Sequence, residues 1–219
     1  MDVKPVFKQR SYDTNNQHLQ FLNSENKSYT HLMLGDSMLE NFLNMYSGLP
    51  FFKQIMAKVD IFNAGVGGDK VENVLYRVIE GKLLDHPSLK TVKCIYLLLG
   101  TNNLNNKNSA CKDTIINGIS KLVDLLINRL PNLETIHILK ISPRTDINQH
   151  LIDEVNLLIA QYIEDVKQYD LDANITLINW TDKLYDNKMR QMKKEYFYDN
   201  VHLNTSGYEI MYNHIMATL

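Results

Sequence analysis

Cysteine is scarce in this sequence, and any strong excess of charge or long apolar run is missing. The two cysteines, Cys94 and Cys111, do not form a disulfide framework or a zinc site at that spacing. A formal net charge of -2 gives no electrostatic reason to expect a nucleic-acid partner or a membrane surface. The longest apolar stretches are strand-sized, and no apolar run follows residues 1–5 as it would in a secretory signal. These absences predict a cytoplasmic protein without a metal centre.

The sequence contains enough apolar residues for one folded domain. Its 219 residues are 44% hydrophobic and 22% charged, an ordinary globular balance. Residues 1–29 are polar and irregular, which predicts an N-terminal lead-in packed on the domain, with one short helix near residues 17–22. Residues 30–219 carry neither a linker-like stretch nor an internal repeat, so they are predicted to form a single domain.

Strand and helix patterns alternate from residue 30 onward. Short apolar runs predict five strands, at 31–34, 59–63, 92–99, 135–141 and 175–178. Helical spacing of apolar residues predicts helices within 38–58, 71–78, 115–130 and 151–166, and from about Ser206, where Ser206 and Glu209 have capping-box spacing, to the C-terminus. Because most of the strands are apolar on both faces, the pattern predicts an α/β fold: a three-layer α/β/α sandwich around a five-stranded parallel sheet.

Ligand sites of such folds lie at the carboxyl ends of the strands. Polar or glycine-rich segments follow three of the predicted strands, and a fourth lies between the last strand and the last helix. They are Gly35-Asp36-Ser37, the run from Asn63 to Asp69, Gly100-Thr101-Asn102-Asn103, and Asp199-Asn200-Val201-His202.

Each segment alone has an ordinary structural explanation. A serine at the start of a helix is usually a cap, and asparagines after a strand are usually turn residues. The glycines from Gly65 resemble a dinucleotide loop, but Lys70 stands where its third glycine is required. Asp199 and His202 could be a surface pair or half of a metal site, although no further ligand cluster completes one.

Together the segments supply every role that acyl transfer needs. Ser37 can attack, His202 can accept its proton, and Asp199 can orient the imidazole from the same loop. The backbone N–H groups of Ser37 and Gly68 and the side-chain amide of Asn102 can face the developing oxyanion. Glycine suits this position because the substrate must approach the backbone closely.

In their order and content, the four segments resemble the sequence blocks of the SGNH (GDSL-like) hydrolases, from about Leu32 to the C-terminus. The resemblance is strongest to the branch that contains the catalytic subunits of intracellular platelet-activating-factor acetylhydrolase, through Gly67-Gly68-Asp69, Val74-Leu75-Tyr76-Arg77, Val201-His202-Leu203 and Gly207-Tyr208. It implies Ser37 as nucleophile, Asp199 and His202 as the other triad members, and Gly68 and Asn102 as oxyanion donors. It also implies a flavodoxin-like fold, no cofactor and a possible homodimer. The Gly-x-Ser-x-Gly elbow of the α/β-hydrolases is absent, since Leu39 replaces its second glycine.

Neighbouring residues are expected to support the site. Asp36, Asn63, Asp69 and Asn103 are predicted to lie directly behind it, with Asp69 capping the helix that begins near Lys70. Arg77 could pair with a carboxylate near the site or lie on the surface. The aromatic, basic loop 183–198 could wall a pocket, with ordinary loop packing as the alternative.

The predicted function is that of a serine esterase acting on an acetyl or other short-chain ester of a small molecule or glycan. Two alternatives remain open at this point: an O-acyltransferase that uses the same triad, and a non-catalytic binding protein with this fold. The intact set of Ser37, Gly68, Asn102, Asp199 and His202 argues against the second.

Overall fold

A five-stranded parallel sheet lies at the centre of the computed structural model, which describes residues 2–169 and 171–219. The strands span His31–Gly35 (β1), Ile61–Gly65 (β2), Cys94–Leu98 (β3), Thr135–Leu139 (β4) and Asn174–Ile178 (β5), in the spatial order β2-β1-β3-β4-β5. A two-stranded ribbon of Tyr185–Asp186 (β6) and Gln191–Met192 (β7) lies apart from the sheet. The predicted five-stranded parallel sheet is confirmed.

Helices cover both faces of the sheet. They span Gln9–Glu25 (α1), Ser37–Glu40 (α2), Leu49–Met56 (α3), Val71–Ile79 (α4), Cys111–Arg129 (α5), Gln149–Val166 (α6) and Thr205–Met216 (α7). Successive side chains of a strand point to opposite faces. In β1, Leu32 and Leu34 therefore join one core with α4, α5 and α6, while Met33 joins the other with α2, α3 and α7. The predicted three-layer α/β/α sandwich is thus confirmed.

The N-terminal lead-in forms far more helix than predicted. α1 is a helix of 17 residues, whereas the sequence pattern suggested a short one near residues 17–22. Its buried positions are Ser11, Asn15 and Leu22, and two of these three side chains are polar. An apolar stripe of period 3.6 is therefore almost absent, which is why the pattern missed the helix.

The region 38–58 is two helices rather than one. α2 passes into a short 3₁₀ turn, and α3 begins only at Leu49, after Gly48 and just before Pro50. Gly48 packs so closely on the preceding turn that a Cβ there would lie 2.4 Å from the Cα of Phe42. This close approach folds the chain back between the two helices.

The last helix begins one residue earlier than predicted and has a different cap. Asn204 is the N-cap, and its side chain accepts a hydrogen bond from the N–H of Gly207 at 3.1 Å. The capping box predicted at Ser206 and Glu209 is therefore wrong, because the side chain of Asn204 already accepts a free backbone N–H of the first turn.

The strand order places the four polar segments where they can meet. β1 lies between β2 and β3. The chain passes from β1 to β2 on one side of β1 and then crosses to β3 on its other side, so the strand order reverses at β1 and creates a topological switch point. The segments that follow β2 and β3 therefore flank Ser37, which follows β1. None of the described helices combines the length and the apolarity needed to cross a membrane.

Candidate active site

Ser37 is held at the sharp junction between β1 and α2. Asp36 is the N-cap of α2, and its side chain accepts a hydrogen bond from the N–H of Met38 at 2.9 Å. Asn63 fixes the same junction from β2, since its amide donates to the carbonyl of Leu39 at 2.7 Å. Ser37 itself is 8% exposed.

A continuous hydrogen-bonded relay links Ser37 to the loop before α7. The Oγ of Ser37 lies 3.0 Å from Nε2 of His202, and Nδ1 of His202 lies 2.7 Å from Oδ2 of Asp199. The other oxygen of Asp199 accepts the backbone N–H groups of Val201 at 2.7 Å and His202 at 2.6 Å. The structure therefore brings together the three residues that the sequence proposed as a triad, in the order nucleophile, base and orienting carboxylate.

The surroundings of Asp199 keep it ionised. Partial burial acts to raise the pKa of Asp199, but the hydrogen bonds from the ring and backbone of His202 and from the backbone of Val201 outweigh it and hold the pKa below its ordinary value. An ionised carboxylate on Nδ1 favours the tautomer that leaves Nε2 free to accept a proton from Ser37.

Three N–H donors come from the segments after β1, β2 and β3: the backbone N–H groups of Ser37 and Gly68 and the side-chain amide of Asn102. Gly68 has a φ of +74°, which only glycine adopts without strain, and it turns the chain after β2. Within the described chain, the N–H groups of Ser37 and Gly68 donate to no protein acceptor. Asn102 donates to the carbonyl of Asp69 at 2.9 Å, which fixes the plane of its amide and leaves its second N–H available. These groups can receive a developing oxyanion.

Asp69 and Arg77 form a fully buried ion pair beneath this loop. Nε of Arg77 donates to Asp69 at 2.9 Å, and the rest of the guanidinium donates to the carbonyls of Ala64 and Gly35. Arg77 therefore ties the carboxyl ends of β1 and β2 together, and the question of whether it pairs with a carboxylate or lies on the surface is settled in favour of pairing.

The prediction that Asp69 caps α4 is wrong. Asp69 faces inward and accepts from Arg77 and from the hydroxyl of Ser11. The start of α4 is satisfied by two asparagines instead: Asn73 accepts the N–H of Lys70 at 2.9 Å, and Asn103 accepts the N–H of Val71 at 3.0 Å. Charge burial explains the difference, because an arginine as deeply buried as Arg77 requires a carboxylate partner.

Comparison with known proteins identifies the family. A model of the GDSL-like lipase/acylhydrolase family matches residues 33–210. The chain belongs to this family. It is thus a carboxylic ester hydrolase, and the resemblance drawn from its sequence blocks is confirmed.

Curated relatives agree with this assignment, and solved structures share the fold. The alpha2 subunits of platelet-activating factor acetylhydrolase IB from Bos taurus and Homo sapiens are each 28% identical over 193 residues, which cover 88% of this chain and 77% of theirs. A GDSL-like lipase from Bacteroides thetaiotaomicron has the same fold with a TM-score of 0.69 at 16% identity, covering 94% of this chain and 97% of its own. A lipase/acylhydrolase from Enterococcus faecalis has a TM-score of 0.64 at 15% identity, with coverages of 86% and 93%.

Two groups of residues at the site of this GDSL-like protein were not found from its sequence. Lys8 and Ser11 reach the segment after β2 from the N-terminal segment, and Arg10 binds Glu40, which in turn accepts the N–H of Gly67. Arg144 donates to the carbonyl of Thr101 at 2.8 Å, beside Asn102. Neither group belongs to a motif, and each acts through a contact between residues far apart in the chain.

Arg144 and Thr145 connect the segment after β3 with the loop that carries Asp199 and His202. Arg144 also makes a bidentate pair with Asp146, each contact measuring 2.7 Å. The N–H of Thr145 donates to the carbonyl of Asn200 at 3.1 Å, within the loop that carries Asp199 and His202. The segment after β4 thereby fixes the loop of Asp199 and His202 relative to the segment after β3.

The aromatic loop before Asp199 packs partly in the core and partly against His202. Met192 and Phe197 are buried in the core on the side of α7, as ordinary packing requires. Tyr198 instead stacks on His202, with ring centroids 5.6 Å apart and planes 12° from parallel, and it stays 58% exposed. This end of the loop therefore lies against the imidazole of His202.

Asp36 provides a prediction about stability and pH. Its carboxyl is completely buried, one of its oxygens lacks a hydrogen-bond partner among the described residues, and burial raises its pKa to about 7. Between pH 3.8, the ordinary pKa of the group, and about pH 7, the carboxyl is protonated in the folded state but ionised in the unfolded state. The protein therefore becomes less stable as pH rises through this range.

Asp36→Asn should remove this pH dependence, because asparagine stays neutral and can still accept from Met38. The free energy of unfolding of the variant minus that of wild type should increase by about 2–3 kcal/mol between pH 5 and pH 7. Urea unfolding of both proteins at each pH measures this double difference. A difference that is constant with pH would show that Asp36 is ionised in the folded protein.

Proposed function

We propose that this protein is a serine esterase that cleaves an acetyl or other short-chain ester through an acyl intermediate on Ser37. The relay from Ser37 through His202 to Asp199 carries the proposal, since both links lie within hydrogen-bond distance. The donors at Ser37, Gly68 and Asn102 support it on the oxyanion side. No cofactor is needed, because these residues fill every role in acyl transfer.

In the first half of the proposed reaction, Oγ of Ser37 attacks the ester carbonyl carbon while Nε2 of His202 takes the hydroxyl proton. The carbonyl oxygen becomes an oxyanion that the three N–H donors stabilise. Collapse of the tetrahedral intermediate breaks the bond to the alkoxy oxygen, and the imidazolium returns its proton to the leaving alcohol. Asp199 stabilises the imidazolium throughout without itself accepting the proton.

In the second half, water takes the place of the alcohol. His202 removes a proton from the water, the resulting hydroxide attacks the acyl carbon, and Ser37 leaves with the proton returned by His202. The products are a carboxylic acid and a regenerated serine.

An assay with p-nitrophenyl acetate tests the proposal directly. Wild type should release p-nitrophenol catalytically, and acetate should account for nearly all of the acyl group. Addition of excess methanol or glycerol distinguishes a hydrolase from an O-acyltransferase, because a transferase would form mostly the new ester. Absence of activity on p-nitrophenyl acetate would contradict the proposed preference for a short-chain ester.

Activity should fall as the solution becomes acidic. Only the neutral imidazole of His202 can accept a proton from Ser37, whereas the lowered pKa of Asp199 keeps that carboxylate ionised well below neutral pH. Loss of the neutral imidazole therefore produces the acid limb, and log kcat/KM should decline there as pH falls. A pH–rate profile with p-nitrophenyl acetate measures it, and a flat profile would remove His202 from the role of general base.

Short acyl groups should be preferred over long ones. The side chains of Asp199 and His202 are 43% and 27% exposed, and Tyr198 is also open to solvent. An acyl tunnel would add about 0.8 kcal/mol for each enclosed CH₂, or roughly fourfold in kcat/KM. We expect no such gain along p-nitrophenyl esters from acetate to decanoate. A steady rise with chain length would show that an enclosed acyl pocket exists.

The acyl group and the cellular setting also belong to this proposal. The curated relatives are named as acetylhydrolase subunits, which supports an acetyl ester and an assembly of more than one subunit. We propose a small-molecule or glycan substrate and a homodimer. The two cysteines are free and buried, which supports a reducing cytoplasmic location. Light scattering of the purified protein tests the dimer.

A further inference from the structure

We propose that Lys8 is a positioning residue of the oxyanion hole and acts through the peptide group that joins Gly67 to Gly68. This inference rests on the proposed function, in which the N–H of Gly68 is one of the oxyanion donors. Lys8 lies in the N-terminal segment, outside every sequence block that relates the chain to its family.

The first observation is the place where the ammonium group binds. Nζ of Lys8 donates to the carbonyl oxygen of Gly67 at 3.3 Å. This carbonyl and the N–H of Gly68 belong to one planar peptide unit and point in opposite directions. A cation on the carbonyl polarises the whole unit, so the N–H on the other side becomes a stronger donor. Lys8 thus adds positive character to the oxyanion hole without touching the substrate.

The second observation is that the same peptide segment is fixed from its other end. The N–H of Gly67 donates to Oε2 of Glu40 at 2.9 Å. Arg10 holds that carboxylate with contacts of 3.1 and 2.9 Å. Gly67 is therefore clamped at its N–H by Glu40 and at its carbonyl by Lys8, with Arg10 holding the acidic partner. Such a clamp fixes the direction in which the N–H of Gly68 points.

The third observation concerns how Lys8 itself is held. Its Nζ lies 3.7 Å from Asp69, but that carboxylate is already paired with Arg77 at 2.9 Å. One buried carboxylate therefore faces two cations, and the charge of Lys8 is only partly neutralised. The side chain is 33% exposed, and a Cβ on Gly68 would lie 2.9 Å from its Nζ. The ammonium thus rests directly against the proposed donor residue, partly screened from water.

Three substitutions separate the charge of Lys8 from its hydrogen bond. Lys8→Gln can keep a neutral donor to Gly67, Lys8→Met keeps neither charge nor donor, and Lys8→Arg keeps both. The control is Lys27→Gln, which removes an exposed lysine paired with Asp60. Steady-state kinetics with p-nitrophenyl acetate give kcat and KM for each variant, and circular dichroism verifies that each is folded.

We expect a graded loss in kcat with little change in KM. Lys8→Met should lose about tenfold, which is less than the 10²–10³ typical of a direct oxyanion donor, because Lys8 acts through the peptide. Lys8→Gln should lie between Lys8→Met and wild type, and Lys8→Arg and Lys27→Gln should stay within about twofold of wild type. The Ki of phenylboronic acid, whose adduct with a serine places an oxygen in the hole, should rise in proportion to the loss in kcat.

The inference is overturned if Lys8→Met and Lys8→Gln match wild type, or if they alter KM alone with an unchanged boronate Ki. Ser37→Ala, assayed in parallel, distinguishes this failure from that of the proposed function. An inactive Ser37→Ala beside unaffected Lys8 variants removes only Lys8 from the mechanism. An active Ser37→Ala removes the proposed function as well.

Discussion

Ser37→Ala is expected to lower kcat on p-nitrophenyl acetate by about 10⁵–10⁶ while the protein folds normally. Alanine removes the attacking oxygen, and His202 then has no hydroxyl from which to take a proton. The change deletes a single atom from a side chain that is 8% exposed, so α2 and its cap at Asp36 should remain in place. Stopped-flow and long-incubation assays together cover this range of rates.

Ser206→Ala is the matched control for this substitution. Ser206 is also in the first turn of a helix, but it is exposed and makes no side-chain contact with the triad. Its activity should equal that of wild type. Comparable losses in both variants would indicate damage to the fold, and retention of activity in Ser37→Ala would exclude the acyl-serine mechanism.

Asn102→Ala is expected to lower kcat by about 10²–10³, with KM changed little, because an oxyanion donor acts mainly in the transition state. The side chain of Asn102 makes one hydrogen bond, to the carbonyl of Asp69, so its removal should cost little stability. Kinetics and urea unfolding of the same preparation measure the two effects separately.

The adjacent Asn103 should show the opposite behaviour. Its side chain accepts the N–H of Val71 at the start of α4 and donates to Glu72 at 2.7 Å. Asn103→Ala should therefore cost about 1 kcal/mol in the free energy of unfolding, as loss of a helix cap does, with a much smaller change in kcat. If Asn103→Ala instead lost more activity than Asn102→Ala, Asn102 would not be the donor.

The positions of Ser37 and Asn102 could be predicted because they depend on where strands of the parallel sheet end. Apolar strand runs fix where β1 and β3 end, and Ser37 and Asn102 follow those ends directly. Parallel strands bring their carboxyl ends to one edge of the sheet, so residues that follow different apolar runs in the sequence are expected to lie close together. The sequence blocks also predicted that Ser37 and His202 lie close together, and the distance of 3.0 Å between Oγ and Nε2 agrees.

The contributions of the N-terminal segment could not be predicted in this way. α1 buries Ser11 and Asn15, so its inward face does not look apolar in the sequence. Lys8 meets Gly67 across 59 positions of the chain, through a single side chain that follows no periodic pattern. Asp69 was misassigned for a related reason, since only the fold reveals that Arg77 is buried against it.

Covalent labelling with a fluorophosphonate tests the central claim most directly. The reagent phosphonylates a serine whose hydroxyl is activated by a neighbouring base, and the hydrogen bond of 3.0 Å to His202 provides that activation at Ser37. Tryptic mass spectrometry should find one adduct, on Ser37, and none in Ser37→Ala. An adduct on another serine, or none in the wild-type protein, would contradict the assignment of Ser37 as the nucleophile.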